Sequence, residues 1–226
     1  GQYYRAPNLS VNTAPSTPEK REGDKLRAKV EAADITFWSN HRIWSVERGF
    51  RVACATGLEN KIATAPQVIL ATGANEVERP IPGWGRPGVV GLAAATIMMK
   101  SYKILPGNKV LVAGSGPLLY DVATRIMHNG GKVAAVVDAS PMTDWLKEAH
   151  RMALKPKLAA KGLGWMAYLA ASRVKVLRGY ALSRVDGDPE VTSAQLTKID
   201  RDWAPVEGAE TLDVTCDTVC YGYGLQ

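Results

Sequence analysis

Apolar and polar positions change their spacing several times along the chain, and each change marks an element. Residues 6–24 show no periodicity and are rich in Pro, Ser, Thr, Asn and charge, so they read as a loop or linker. Between Glu19 and Ala33, Leu26, Val30 and Ala33 share one face at helical spacing, which predicts a short helix. From Ile35 the runs become short, β-branched and aromatic. Ile35–Trp38, Arg42–Val46 and Gly49–Ala53, separated by polar turns, predict a small antiparallel meander. Gln67–Leu70 is a compact apolar run ending in Ala71-Thr72-Gly73-Ala74, the pattern of a buried strand that enters a glycine turn.

Pro80, Pro82, Gly83, Gly85, Pro87 and Gly88 then crowd together and mark a crossover between domains. A helix is predicted over 92–103. Lys109–Ala113 reads as a buried strand, Gly114-Ser115-Gly116 as a tight turn and Pro117–His128 as a helix stopped by Asn129-Gly130-Gly131. Lys132–Val137 is a second strand ending at Asp138. Together these form a complete βαβ unit of about 30 residues. Residues 141–171 read as helical with a break at Gly162-Leu163-Gly164. Short strands are expected at 174–178, 181–185, 196–200 and 216–221.

A chain of 226 residues holds one large domain or two small ones. Its 46% hydrophobic and 22% charged residues exclude a wholly disordered chain. No apolar run approaches the roughly 18–20 residues of a membrane span, and Gly1–Arg5 lacks the order of a secretory signal. The expectation is a soluble, cytoplasmic protein. Three cysteines, Cys54, Cys216 and Cys220, do not make a disulfide framework. The net charge of +6 is concentrated at Lys147, His150, Arg151, Lys155, Lys157, Lys161, Arg173, Lys175 and Arg178. A solvated helical face explains this stretch better than a dedicated anion patch, and without interleaved aromatics it does not suggest nucleic-acid binding.

The βαβ unit carries the chemistry. A strand feeding a glycine turn and then a helix exposes backbone N–H groups at the positive end of the helix dipole, a site for a diphosphate. Gly114 permits the turn, Gly116 permits close backbone approach, and Pro117 gives up an N–H that would have no partner. Ser115 and Leu118 complete the cradle. Asp138, 22 residues after Gly116, stands where a carboxylate binds both ribose hydroxyls, which predicts NAD, rather than NADP, or another adenine nucleotide. The third glycine position of the usual fingerprint holds Leu119.

Several segments together carry a family resemblance: Gly1–Arg5, Ile69–Ala74, Pro80–Trp84, Ala113–Leu119, Asp200–Trp203 and Cys216–Leu225. The chain resembles the FAD/NAD(P)-linked oxidoreductases of the pyridine nucleotide-disulfide type. Within them it is most similar to the A subunits of opine (octopine or nopaline) oxidases and the B subunits of hydrogen cyanide synthases. The resemblance implies an α/β, three-layer, Rossmann-like fold in which an NAD-type domain is inserted into an FAD domain. Residues 1–78 would be a partial FAD-binding domain, 79–211 the insert, and 212–226 the return strand of the FAD domain. It further implies that Ala71, Thr72 and Gly73 lie against FAD, and that the strand containing Ile43 offers its backbone to the adenine. Two family parts, the amino-terminal GxGxxG and a late Gly-Asp element, have no counterpart here, so the chain is expected to be a piece of the family pattern that holds FAD poorly.

No catalytic acid, base or nucleophile can be nominated. Cys216 and Cys220 are four apart in a predicted strand, which suits burial and not Cys-x-x-Cys exchange. His41, His128 and His150 have no Cys or His at ligand spacing, so no metal site is expected. His128 reads as a cation at a helix carboxyl end, and Trp84 and Trp203 as core anchors. Two functions stay open: part of a flavin-dependent oxidoreductase acting on an amine, imino-acid or opine C–N bond, or a non-catalytic adenine-nucleotide-binding assembly subunit of a heteromeric dehydrogenase. Both imply a companion oxidoreductase subunit, and the first implies a small amine or amino-acid substrate.

Overall fold

The computed structural model describes residues 18–77, 79–141, 154 and 156–226. Lys147, His150, Arg151 and Lys155 of the basic stretch therefore lie outside the described residues, as do residues 142–153 and 155 of the helix expected over 141–171. The described residues divide after Gly73 into two compact units.

The first unit contains helix α1 (Pro18–Glu31) and an antiparallel meander of β1 (Arg42–Glu47), β2 (Arg51–Ala55) and β3 (Asn60–Thr64). The β2–β3 hairpin closes at Thr56, whose hydroxyl accepts the N–H groups of Leu58 and Glu59. The meander begins one strand later than its composition predicts. Ile35–Trp38 forms no ladder, because the two edges of β2 are taken by β1 and β3. Composition reveals a run that suits a strand, but pairing decides whether it becomes one. Gln67–Leu70 is likewise no buried strand: Ile69 is 92% and Leu70 71% exposed. A strand buried on both faces needs ladder partners and apolar cover, and no described residue pairs with this run. The helical face of Leu26 and Val30 is also exposed.

The second unit is built in three layers around a five-stranded parallel sheet of order β4-β11-β5-β6-β7. Its strands are β4 (Val89–Gly91), β5 (Lys109–Gly114), β6 (Lys132–Asp138), β7 (Val176–Arg178) and β11 (Thr218–Gly222). Alternation along β5 explains the layering. Val110 and Val112 pack into a cluster with α2 (Leu92–Ile97), α3 (Leu118–His128) and α4 (Pro156–Ala171). Leu111 and Ala113 point the other way, against an antiparallel sheet of β8 (Tyr180–Gly187), β9 (Val191–Lys198) and β10 (Leu212–Thr215).

Helix α2 passes into a π-helical turn at Met98–Tyr102, which stops at Lys103 in the left-handed conformation. Helix α4 runs through Gly162 and Gly164 without the expected break, and neither glycine has a neighbour that would restrict a side chain. Residues 212–226 carry the last two strands of the second unit. There β10 pairs with β9, and β11 lies between β4 and β5. The all-apolar Val219 and Cys220 suit a central strand covered on both faces, and that position exists in this sheet.

Candidate functional site

The carboxyl ends of the parallel strands gather Gly91, Gly222, Gly114 and Asp138 along one edge; Gly222 pairs with Gly114, and Gly114 with Asp138. In open α/β sheets this is the edge at which ligands bind. The two turn glycines do different work. Gly114 has φ +145°, and a Cβ there would sit 1.8 Å from the carbonyl oxygen of Gly222. It is required by the neighbouring strand, whose Gly222 carbonyl also accepts the Ser115 N–H at 3.2 Å. Gly116 has φ +85°, and a Cβ there would meet nothing within 4 Å. Its backbone, in a conformation that glycine adopts freely, faces open space of the kind a diphosphate cradle requires.

Pro117 caps α3 in the right-handed helical region, and no side chain satisfies the helix start. Of the first-turn N–H groups, that of Leu119 turns back to the Gly116 carbonyl at 3.4 Å, and the dipole at this end of the helix favours an anion. Ser115 and Leu118 are half-buried beside them. Leu119, in the third glycine position, is fully buried in the helix-side core and spends its side chain on packing.

Asp138 is placed differently from its expected role. It is 0% exposed. Its Oδ2 accepts the hydroxyl of Tyr120 at 2.7 Å, and its Oδ1 accepts the Ser140 N–H at 2.9 Å. Burial, followed by the charge of Asp138, pushes the Tyr120 hydroxyl well above the ordinary tyrosine range. The Arg178 guanidinium lies 5.9 Å from the Tyr120 ring centroid, and one of its nitrogens is 3.3 Å from the sulfur of Met166.

The positions expected to touch FAD form no cradle in their own unit. Ala71, Thr72 and Gly73 are exposed, and Ile43 is 57% exposed beside a bulge in β1.

Sequence reasoning missed Glu76. Both of its carboxylate oxygens accept the Ala93 N–H, at 3.2 and 3.0 Å, at the start of α2. A Cβ on Gly91 or Gly222 would come within 2.3 Å of that carboxylate, so the two glycines keep its place open. Glu76 also lines a cleft of about 140 Å³ with Trp84, Gly91 and Tyr221. The glycines that end β4 and β11 were the available signal. Trp84 and Trp203 are not core anchors: both are partly exposed, and Trp203 packs edge-on to Tyr223 at 5.5 Å under the guanidinium of Arg79.

The cysteines are all unpaired and buried. Burial, then Asp217, pushes the Cys216 thiol up to about 11, and burial, then Glu76, pushes Cys220 up to about 12. Neither is a thiolate near neutral pH, so neither is suited to disulfide exchange. Among the described residues no group of three or more His, Cys, Asp or Glu could hold a metal ion, and no helix is long and apolar enough to cross a membrane.

A parallel sheet with helices on one face, an antiparallel meander on the other and a glycine turn at its carboxyl edge is a Rossmann-like dinucleotide-binding fold, and in sequence the chain is similar to subunits of a hydrogen cyanide synthase and of an opine oxidase. It is 34% identical over 159 residues to the hydrogen cyanide synthase component HcnB of Pseudomonas aeruginosa, a match covering 70% of this chain and 34% of that protein. It is 30% identical over 153 residues to the A component of the opine oxidase of Rhizobium meliloti, covering 63% and 29%. The chain thus spans about a third of the length of the curated relatives it matches. No family model matches the sequence. Among solved structures, thioredoxin reductase of T. acidophilum aligns with a TM-score of 0.62 at 15% identity over 100% of this chain and 66% of that one. A NAD-dependent persulfide reductase of A. fulgidus aligns at 0.56 and 17% identity, over 90% and 35%. At such identities these two structures establish the fold.

Proposed function

We propose that the chain is the nucleotide-binding part of a flavin-linked oxidoreductase that oxidises a C–N bond of an amine, imino acid or opine, and that the turn Gly114–Leu118 holds the diphosphate of NAD or another adenine nucleotide. The observation that carries the nucleotide assignment is Gly116: a positive-φ glycine facing open space at the start of α3, on the ligand-binding edge of a parallel sheet. Support for the reaction class comes from the relatives, one from a hydrogen cyanide synthase and the other from an opine oxidase. Both relatives are named as subunits, which supports a companion for this chain too. By the same likeness, residues 1–78 belong to a partial FAD-binding domain and 79–211 to a nucleotide-binding insert; the pairing of β11 with β4 and β5 supports extending that insert through Gly222. FAD, when bound in such a family member, accepts the electrons of the substrate. The described residues of this chain contribute binding and orientation at the diphosphate, and none is assigned a proton transfer.

A second reading is favoured by the lack of any acid, base or nucleophile assembled around the turn among the described residues: an assembly subunit that holds an adenine nucleotide while its partner performs the oxidation. Denaturing the purified protein and identifying what it releases by absorbance and mass separates the two. Released flavin supports the enzyme reading, and an adenine nucleotide without flavin supports the second. A protein that neither releases nor takes up any adenine nucleotide overturns the site itself.

A further inference from the structure

We infer that Tyr120 withdraws Asp138 from the nucleotide, so that the acid at the end of β6 does not read the ribose and the site accepts NADP as readily as NAD. The inference rests on the nucleotide reading of the Gly114–Leu118 turn and concerns what that turn selects.

The argument starts from where a ribose-reading carboxylate must be. It has to end the second strand with an oxygen projecting beyond the sheet edge, free to accept two hydroxyls. Asp138 ends β6 in register with Gly114, as that role demands. Its side chain, however, is wholly buried, with one oxygen on the Tyr120 hydroxyl at 2.7 Å and the other on the Ser140 N–H at 2.9 Å. Turning it outward would break the 2.7 Å hydrogen bond that the buried Tyr120 hydroxyl donates to it, a loss that is costly in the core.

Tyr120 is positioned for this by its helix. It follows Leu119, the residue in the third glycine position, on the first turns of α3, and both are buried against the sheet. From there its ring spans the distance to the end of β6. The other side of the ring faces Arg178, which ends β7 in register with Asp138. The neighbourhood beyond the turn therefore combines an internally satisfied carboxylate with a half-buried guanidinium. A 2′-phosphate meets no outward anion there, and a guanidinium tolerates it. Tyr120 and Asp138 are positioning residues in this account; each acts on the nucleotide through the other.

The test is calorimetric titration of NAD and NADP into the full chain and into Asp138→Asn and Tyr120→Phe, with thermal unfolding recorded for each. Wild type should bind the two nucleotides within about threefold of each other, and D138N should leave that ratio unchanged within about twofold, since the charge removed never faced the ligand. Y120F, which keeps the ring and frees the carboxylate, should shift the ratio at least about threefold toward NAD. A preference for NAD of tenfold or more in wild type that D138N abolishes would overturn the inference while leaving the nucleotide site intact. An unchanged ratio in Y120F would overturn it as well. If none of the three proteins binds either nucleotide, the inference and the reading beneath it fall together, and the total loss distinguishes that case from the others. A loss of stability without a change in ratio in Y120F would reduce the pair to packing. Y120F also guards against D138N failing to fold, because it removes one hydroxyl only.

Discussion

Gly114 lies so close to Gly222 on the neighbouring strand that a Cβ on Gly114 would sit 1.8 Å from the Gly222 carbonyl oxygen. This close approach of two backbones fixes the mouth of the nucleotide turn. Gly114→Ala adds a clash with an immovable atom to an unfavourable φ. It should cost about 2–5 kcal/mol of stability, read as a drop in the urea midpoint. A midpoint within experimental error of wild type would show that β5 and β11 do not pack as described.

Gly116 behaves in the opposite way. Gly116→Ala meets no atom within 4 Å and should lose only about 1–2 kcal/mol for its positive φ. Gly116→Val should fold and yet lose nucleotide binding, because its branched side chain fills the space in front of the turn. Equilibrium dialysis with NAD decides the point; undiminished uptake by G116V would place the diphosphate elsewhere.

Glu76 and Gly91 should show strong coupling. Glu76→Ala leaves the Ala93 N–H without its carboxylate and should cost about 1–3 kcal/mol. Gly91→Ala alone should destabilise through contact with that carboxylate, whereas in the E76A background it should be nearly neutral. A double-mutant cycle measures this, and simple additivity of the two losses would show that the glycine does not serve the glutamate.

The buried thiols give a pH signature with a definite sign. Cys216 and Cys220 are raised from 9.0 to about 11 and about 12 in the folded protein. The folded state thus holds these protons more tightly than the unfolded chain. Their contribution to stability is complete below pH 9 and is lost as the pH rises through 11–12. Denaturant midpoints should fall across that window, and replacing both residues with Ser or Val should flatten the fall. At neutral pH, iodoacetamide should label the two only after unfolding.

The sequence made the βαβ unit legible because strand, glycine turn, helix and terminal acid are all local, with the pattern running unbroken from Lys109 to Asp138. The position of Asp138 was legible; the direction of its side chain was not. That direction depends on Tyr120, whose hydroxyl reaches it across the helix–sheet packing, and a tyrosine one residue past the fingerprint reads as an ordinary core aromatic. The meander was displaced by one strand because Ile35–Trp38 has the right composition and no ladder. Cys216–Leu225 was identified as a family segment, but its strand partners were not legible, since a buried strand has the same appearance in any parallel sheet and only pairing with Val89–Gly91 and Val110–Gly114 shows its place. Glu76 escaped notice because the space it occupies is made by two glycines distant in sequence.

The placement of β11 has a consequence for biosynthesis. Val219 pairs with Val89 and Thr218 with Val110, so the middle of the parallel sheet is vacant until the ribosome has passed Gly222. Strand β4 must wait without a ladder partner, and β5 with β6 alone, while more than a hundred residues are added before their common neighbour, a delay that exposes nascent chains to misassociation. The β8–β9 hairpin is sequential and antiparallel, so it can form before β10 and β11 are made, and it packs against one face of that sheet.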